Sequence, residues 1–249
     1  RLERGNTASA ARVLRAIERR KPGADDIPLP LPPSTPRHRA FCPYTKTLRL
    51  EPAHPFLGHR GIHPQTAREF EAGGWPLGGF LRRCVGVRLH DIEGRPLGYA
   101  GRRLVPDEIE RYGKWKLPSG FPKAEVFFNW HRVHPRGEHG LIVVEGPWDA
   151  MRLHQLGLKN VVALCGARAS PRQLELLASA SRLLVMLDGD DAGRSGTQYL
   201  VSALPSAERE VLFLPQGTDP AELSYPELVT YLPPRLRTIA RSSADRRPA

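Results

Sequence analysis

The second half of the chain alternates short apolar runs with stretches of helical periodicity. The apolar runs lie at 141–145, 160–164, 183–187 and 211–214. The helices that we predict between and after them lie at 148–156, 171–178, 191–204 and 220–232. Strands that alternate with helices are typical of βαβ units. We therefore predict an α/β fold with a mostly parallel, four-stranded sheet and flanking helices.

The first half of the chain carries weaker and shorter signals. Residues 85–89 and 97–100 have strand composition, and a turn at Glu93-Gly94 separates them. This arrangement predicts a pair of neighbouring strands. A helix is predicted at 64–72, because Pro64 suits a first helical turn. The region before the parallel sheet is thus predicted to be a smaller α+β unit.

Both ends of the chain are polar and basic. Residues 8–20 have the spacing of a short amphipathic helix, whereas 22–36 contain too much proline for a helix or a central strand. We predict an extended linker there and a disordered basic tail at the other end. The predicted segments are 1–40 (helix and linker), 41–138 (α+β subdomain), 139–232 (parallel-sheet domain) and 233–249 (tail).

The charge of +11 is unevenly distributed along the chain. Residues 41–138 hold 16 basic and 10 acidic side chains, whereas 139–232 hold 7 basic and 11 acidic ones. A basic surface attracts a phosphate backbone, while an acidic patch repels phosphate unless a divalent cation intervenes. This combination favours a metal-dependent enzyme that acts on nucleic acid.

Targeting and redox signals point to the cytoplasm. No apolar run approaches the ~20 residues that would cross a bilayer, and the first segment lacks the apolar core of a signal peptide. We therefore expect no membrane partner. The three cysteines, Cys42, Cys84 and Cys165, have no pairing pattern and no zinc-site spacing, which fits a reducing compartment.

Acidic residues follow three of the predicted strands. Glu145 ends the first strand, Asp188 and Asp190 follow the third, and Asp219 follows the fourth. Because the carboxyl ends of parallel strands share one edge of a sheet, these carboxylates can converge there. Carboxylate oxygens are the ligands that Mg²⁺ prefers, and Gly189 relieves crowding between the paired aspartates. Taken singly, each acid could equally be a helix N-cap or a turn residue.

The acids lie in motifs that resemble a known signature. The motif E-G-x-x-D comprises Glu145, Gly146 and Asp149, and D-G-D-x-A-G-R spans 188–194. Together with the segments 160–167 and 217–223, they resemble the Toprim signature of the DnaG-type bacterial primases. The resemblance implies a Toprim fold for 139–232.

Three upstream segments, 56–74, 86–104 and 113–129, resemble the part of these primases that precedes the Toprim domain. The resemblance implies basic residues that hold template or nucleotide phosphates: Arg60, Arg102, Lys114, Lys116, Lys123 and Arg194. Lys116 and Lys123 are the best matches for the two active-site lysines, with Lys114 as an alternative. As simpler readings, Arg60 and Arg102 could pair with nearby acids, and Lys114 or Lys116 could be surface lysines.

The function implied by the resemblance is synthesis of short RNA primers on single-stranded DNA. It implies Glu145, Asp188 and Asp190 as catalytic residues and the same three with Asp219 as ligands of Mg²⁺, or of Mn²⁺ in its place. Glu145 could act as a general base or position the metal. The expected partners are a single-stranded DNA template and nucleoside triphosphates, with a replicative helicase or a separate zinc-ribbon module as further candidates. We expect this chain to lack both the zinc ribbon and the helicase-contacting domain of these primases.

Other functions stay open. A Toprim nuclease would share Glu145 and the Asp-x-Asp pair but lack the upstream primase-like segment, and a non-catalytic nucleic-acid-binding replication module would keep only the fold. A topoisomerase would need a nucleophilic tyrosine within a much larger architecture. A dinucleotide-binding fold is disfavoured because no G-x-G-x-x-G follows the first parallel strand.

Overall fold

The computed structural model describes residues 41–204 and 208–244. The predicted helix at 8–20 and linker at 22–36 lie outside the described residues. The described part contains two sheets of four strands each.

The first sheet is antiparallel. Its strands, in the spatial order β1-β2-β3-β4, are β1 (Ala72–Gly74), β2 (Cys84–His90), β3 (Pro96–Arg103) and β4 (Trp115–Lys116). The helices of this region are α1 (Pro55–His59), α2 (Pro64–Glu69) and α3 (Pro106–Tyr112). Each of these helices begins at a proline, whose fixed φ suits the first helical turn. The predicted strand pair is present, but α2 ends at Glu69 rather than at residue 72.

The second sheet has four strands, as predicted, and all of its strand pairs are parallel. Its strands are β5 (Leu141–Val144), β6 (Val161–Ala163), β7 (Arg182–Val185) and β8 (Glu208–Val211), in the spatial order β6-β5-β7-β8. The helices α4 (Pro147–Gln155), α5 (Pro171–Leu177) and α6 (Asp191–Ala203) follow β5, β6 and β7. β5 is buried along its whole length, and its apolar side chains pack into the core on both faces of the sheet.

The prediction was wrong in detail at the end of the domain. The fourth strand lies at 208–211 rather than 211–214, because this edge strand is polar and an apolar run does not mark it. The last predicted helix begins at Tyr225 rather than Pro220 (α7, Tyr225–Tyr231), because the Ser224 hydroxyl caps the helix and Glu227 returns the bond.

The prediction of a disordered tail is also wrong for residues 234–244. They form a further helix, α8 (Pro234–Ala244). Leu236 and Ala240 are four residues apart, so they lie on one helical face, and both are buried against the core. This apolar pair is obscured in the sequence by the arginines around it.

The segment between β4 and β5 attaches the two sheets to each other. Phe128 forms an isolated antiparallel bridge with Ala163 at the outer edge of β6. The next residue, Asn129, has a left-handed backbone (φ 72°) and donates from Nδ2 to the Val161 carbonyl at 2.8 Å. The His154 ring on α4 lies 2.9 Å from the Glu69 carboxylate on α2.

Within the described ranges, no helix has the length and apolar character needed to span a bilayer.

Candidate active site

Three of the four acids that follow the parallel strands line one cavity, and Asp190 is not among its lining residues. Glu145, Asp188 and Asp219 line it, together with Asp149 from the first turn of α4. The cavity has a volume of about 270 Å³ and lies at the carboxyl edge of the parallel sheet. This is the edge at which open α/β sheets bind their ligands.

Glu145 and Asp188 have the properties of cation ligands. Glu145 Oε2 and Asp188 Oδ1 are both buried, and neither has a hydrogen-bond partner among the described residues. Burial and the neighbouring Glu145 and Asp219 raise the pKa of Asp188 to about 7. Burial, followed by the charge of Asp190, also raises the pKa of Glu145, although Lys114 and Lys123 oppose this rise. Buried, mutually repelling carboxylate oxygens fit a divalent cation, which would neutralise both.

The carboxylates do not form a ready-made cage. Among the described residues, no group of three or more His, Cys, Asp or Glu side chains is arranged to hold a metal ion by itself. A small number of protein carboxylates, completed by substrate phosphate and water, is the usual arrangement for Mg²⁺.

Asp190 has a structural role in addition to its charge. It is the exposed N-cap of α6, and its Oδ1 accepts a hydrogen bond from Gly193 N at 2.8 Å. Glycine is required on both sides of it, since a Cβ at Gly189 would lie 2.0 Å from the Pro215 carbonyl oxygen. A Cβ at Gly193 would lie 2.0 Å from the Asp188 carbonyl oxygen. Close backbone approach therefore explains the glycines of D-G-D-x-A-G.

Asp149 is a site residue that was absent from the predicted ligand set. Its carboxylate is buried and accepts from Gly146 N at 2.9 Å and from Ala221 N at 3.3 Å. Burial and the charges of Asp219 and Asp188 raise its pKa well above the ordinary value. It links the turn after β5 to the loop after β8, and the E-G-x-x-D spacing was the signal for it.

Arg60 and Arg102 both line the cavity, but they differ in their interaction partners. Arg60 forms an ion pair with Asp219 and a longer one with Glu222 at 3.5 Å, so the pairing interpretation is correct for it. No ion pair to Arg102 is found within the described ranges. Its guanidinium donates to the Arg103 carbonyl at 2.8 Å and lies 5.8 Å from the Phe56 ring centroid.

The lysines are arranged differently from the preferred prediction. Lys114 and Lys123 line the cavity, but Lys116 lies in a separate shallow cavity with Arg82 and Arg103. Lys116 follows Trp115 in β4, so its side chain points to the face opposite Trp115, which lines the cavity. Lys114 precedes the strand, in a bend, and does not follow this alternation. The structure therefore brings Lys114, and not Lys116, to the carboxylates.

Arg194 lies behind the acidic turn rather than in the cavity. Its guanidinium donates to the Gly189 carbonyl at 3.4 Å and to Gln216 Oε1 at 2.5 Å. These contacts connect the Asp188–Asp190 turn with the loop that leads to Asp219.

Known proteins are similar to this chain in sequence and in fold. Residues 142–224 match the Toprim-like family. The DNA primase of Aquifex aeolicus is 31% identical over 212 residues, which are 70% of this chain and 42% of that protein. The crystal structure of the Aquifex aeolicus primase (zinc binding and RNA polymerase domains) covers 76% of this chain and 55% of its own, with a TM-score of 0.59 and 29% identity. A structure of the DnaG primase catalytic domain bound to ssDNA aligns over 72% of this chain and 70% of its own (TM-score 0.56, 24% identity) and shows likeness of fold alone.

The parallel sheet with its acidic edge is thus a Toprim domain. The similarity covers 70% of this chain, which is more than residues 142–224 alone, so it extends beyond the Toprim domain to resemble the catalytic cores of DnaG-type bacterial primases. The chain spans 42% of the length of the Aquifex primase.

Proposed function

We propose that this chain synthesises short RNA primers on a single-stranded DNA template by Mg²⁺-dependent nucleotidyl transfer. The observation that carries the proposal is the shared cavity, in which the carboxylates of Glu145 and Asp188 lie beside Lys114 and Lys123. This arrangement can accept a phosphate group and a divalent cation in one place. The ssDNA in the related catalytic-domain structure supports a nucleic-acid substrate.

The proposed metal ligands are Glu145 and Asp188, with Asp190 and Asp219 as nearby negative charges. When bound, Mg²⁺, or Mn²⁺ in its place, would neutralise charge that develops on the phosphate and on the pyrophosphate leaving group. Lys114, Lys123 and Arg102 would bind phosphate oxygens, and fixed charges of this kind stabilise charge that builds up during transfer. Arg60 orients Asp219 through their ion pair, and Asp149 fixes the turn that carries Glu145.

The partners and the location are part of the same proposal. We expect a template strand and nucleoside triphosphates as substrates, and a replicative helicase or a zinc-ribbon module as a protein partner. The three free cysteines fit work in the cytoplasm. If a separately supplied zinc-ribbon module leaves primer yield and start-site choice unchanged, that partner is excluded.

Primer synthesis on single-stranded DNA with labelled ribonucleotides tests the proposal directly. We expect short products with Mg²⁺ or Mn²⁺, and their loss in Asp188→Ala but not in Asp191→Ala, a change at the exposed neighbour. Metal-dependent degradation of the template without synthesis would identify a nuclease instead. Template binding with neither activity would identify a binding module.

A further inference from the structure

Part of the cavity is apolar, and the acids and lysines do not explain it. Trp115, Phe121 and Trp148 line it, together with aliphatic side chains such as Leu117 and Val126. Their aromatic and aliphatic groups offer neither a carboxylate to a cation nor an ammonium group to a phosphate. A ligand that fills the cavity must therefore carry an apolar part as well as its charges.

Trp115 is held in a fixed orientation by a second tryptophan. The rings of Trp115 and Trp148 are stacked, with centroids 5.4 Å apart and planes 24° apart. Trp148 is 4% exposed and is packed in turn by the edge of Phe56 at 5.8 Å. Trp115 is only half-buried, so part of its ring stays open to the cavity that it lines.

Trp148 contacts the rest of the protein through its ring. Buried tryptophans usually donate their N–H to an acceptor, but Trp148 Nε1 has no hydrogen-bond partner among the described residues. Its ring is part of the hydrophobic core and makes aromatic contacts with Trp115 and Phe56. Trp148 therefore serves to support Trp115.

The groups beside Trp115 define the chemistry of the ligand. Its neighbour Lys114 and the nearby Lys123 line the same cavity, and lysine ammonium groups bind phosphate as point charges. A rigid, partly open indole is a surface for a flat aromatic ring, and nucleobases stack on such rings without hydrogen-bond readout. A base joined to phosphates combines both features.

We propose that Trp115, supported by Trp148, is the platform on which the base of a nucleoside triphosphate stacks in this cavity. The inference deepens the proposed function and rests on it for the identity of the site. Because stacking depends on ring area, purine nucleotides should bind more tightly than pyrimidine nucleotides. Trp115 is thus a specificity-determining residue.

Equilibrium binding without a template separates the base from its phosphates. Calorimetric titrations would compare ATP, UTP and inorganic triphosphate, all with Mg²⁺, on the wild type, Trp115→Ala and Trp115→Phe. Trp130→Ala is the matched control, since Trp130 is also half-buried and stacked, on Phe127 at 5.1 Å, but lies outside the cavity lining.

We expect the wild type to bind ATP more tightly than UTP, and UTP more tightly than triphosphate. Trp115→Ala should weaken ATP binding by about 5- to 100-fold, as the loss of one stacked base predicts, and leave triphosphate binding unchanged. Trp115→Phe should recover most of the affinity, and Trp130→Ala should change neither probe.

Either of two results in these titrations would overturn the inference. One is a wild type that binds ATP no more tightly than triphosphate, a measurement that needs no variant. The other is an equal loss of both ligands in Trp115→Ala. Primer synthesis is measured separately. Base-dependent nucleotide binding by a protein that synthesises no primers would contradict only the proposed function. Primer synthesis with an unchanged KM for ATP in Trp115→Ala would remove only this inference.

Discussion

The two sheets supply the cavity in different ways. In the parallel sheet, Glu145, Asp188 and Asp219 all stand beyond strand ends, at an edge that parallel strands share. In the antiparallel sheet, Arg102 and Trp115 stand inside strands, so each reaches the cavity only because its side chain points to that face. Topology determines the position of a site residue at the edge of a parallel sheet, whereas strand register determines which way a site residue within an antiparallel strand points.

The largest effect is expected at the parallel edge. Asp188→Asn should lower the rate of primer synthesis by about 100- to 1,000-fold, a loss typical of removing one fixed charge-stabilising group. Its melting temperature should stay equal or rise, because a buried carboxylate that Glu145 and Asp219 repel is removed. Asp191→Asn is the matched control. A fall in melting temperature that accompanies the lost rate would contradict this assignment.

The next effect tests register in the antiparallel sheet. Lys114→Ala should lower kcat/KM by about 10- to 100-fold, since a hydrogen bond to a charged group contributes about 1.5–3 kcal/mol. Lys116→Ala should change it by less than about 3-fold, because Lys116 lies outside this cavity. Steady-state primer synthesis with both variants checks the difference. Equal losses would mean that a position in the lining of this cavity does not decide which lysine acts.

A smaller effect concerns the segment that joins the sheets. Asn129→Ala should reduce the free energy of unfolding by about 2–3 kcal/mol, because it strains a left-handed backbone and leaves the Val161 carbonyl unpaired. Asn129→Gly accepts the positive φ and should cost about 1 kcal/mol less. Urea unfolding of both variants gives the comparison, and equal costs would assign the whole effect to the hydrogen bond.

The last effect, and the smallest per pH unit, is a pH dependence at the α2–α4 contact. Burial, with a contribution from Lys159, lowers the pKa of His154 to about 4, although Glu69 opposes the shift. The unfolded state takes up this proton near its ordinary pKa of about 6.5. The contribution of neutral His154 is thus complete above pH ~6.5 and is lost between pH ~6.5 and 4, at no more than about 1.4 kcal/mol per pH unit.

His154→Gln should therefore flatten the dependence of unfolding free energy on pH in that window. His59→Gln, at an exposed histidine, should leave it unchanged. Urea unfolding at a series of pH values from 4 to 7 checks both variants. An unaltered slope in His154→Gln would show that other groups cause the dependence.

The sequence predicted most of the parallel sheet because its signals are local. Buried strands appear in the sequence as apolar runs. An acidic residue directly after such a run can be assigned to the carboxyl edge of the sheet from the local sequence alone. The sequence did not predict the polar strand β8, because its position at the edge of the sheet depends on tertiary contacts. It did not predict the helix at 234–244 either, because the burial of Leu236 and Ala240 also depends on tertiary contacts.

The rest of the site depends on contacts between distant residues. The choice of Lys114 over Lys116 requires the start and register of a strand of two residues, Trp115–Lys116. The Arg60–Asp219 pair and the Trp115–Trp148 stack join residues far apart in the chain. Composition and spacing hold no information on such pairs.

The bridge between Phe128 and Ala163 has a consequence for solubility. It occupies the outer edge of β6, which would otherwise offer unpaired backbone groups to another chain. At the opposite edge, no described residue pairs with the outer side of β8, but Glu208, Arg209 and Glu210 place charges along it. One edge of the parallel sheet is thus covered and the other is charged, and both devices oppose the edge-to-edge strand pairing that leads to aggregation.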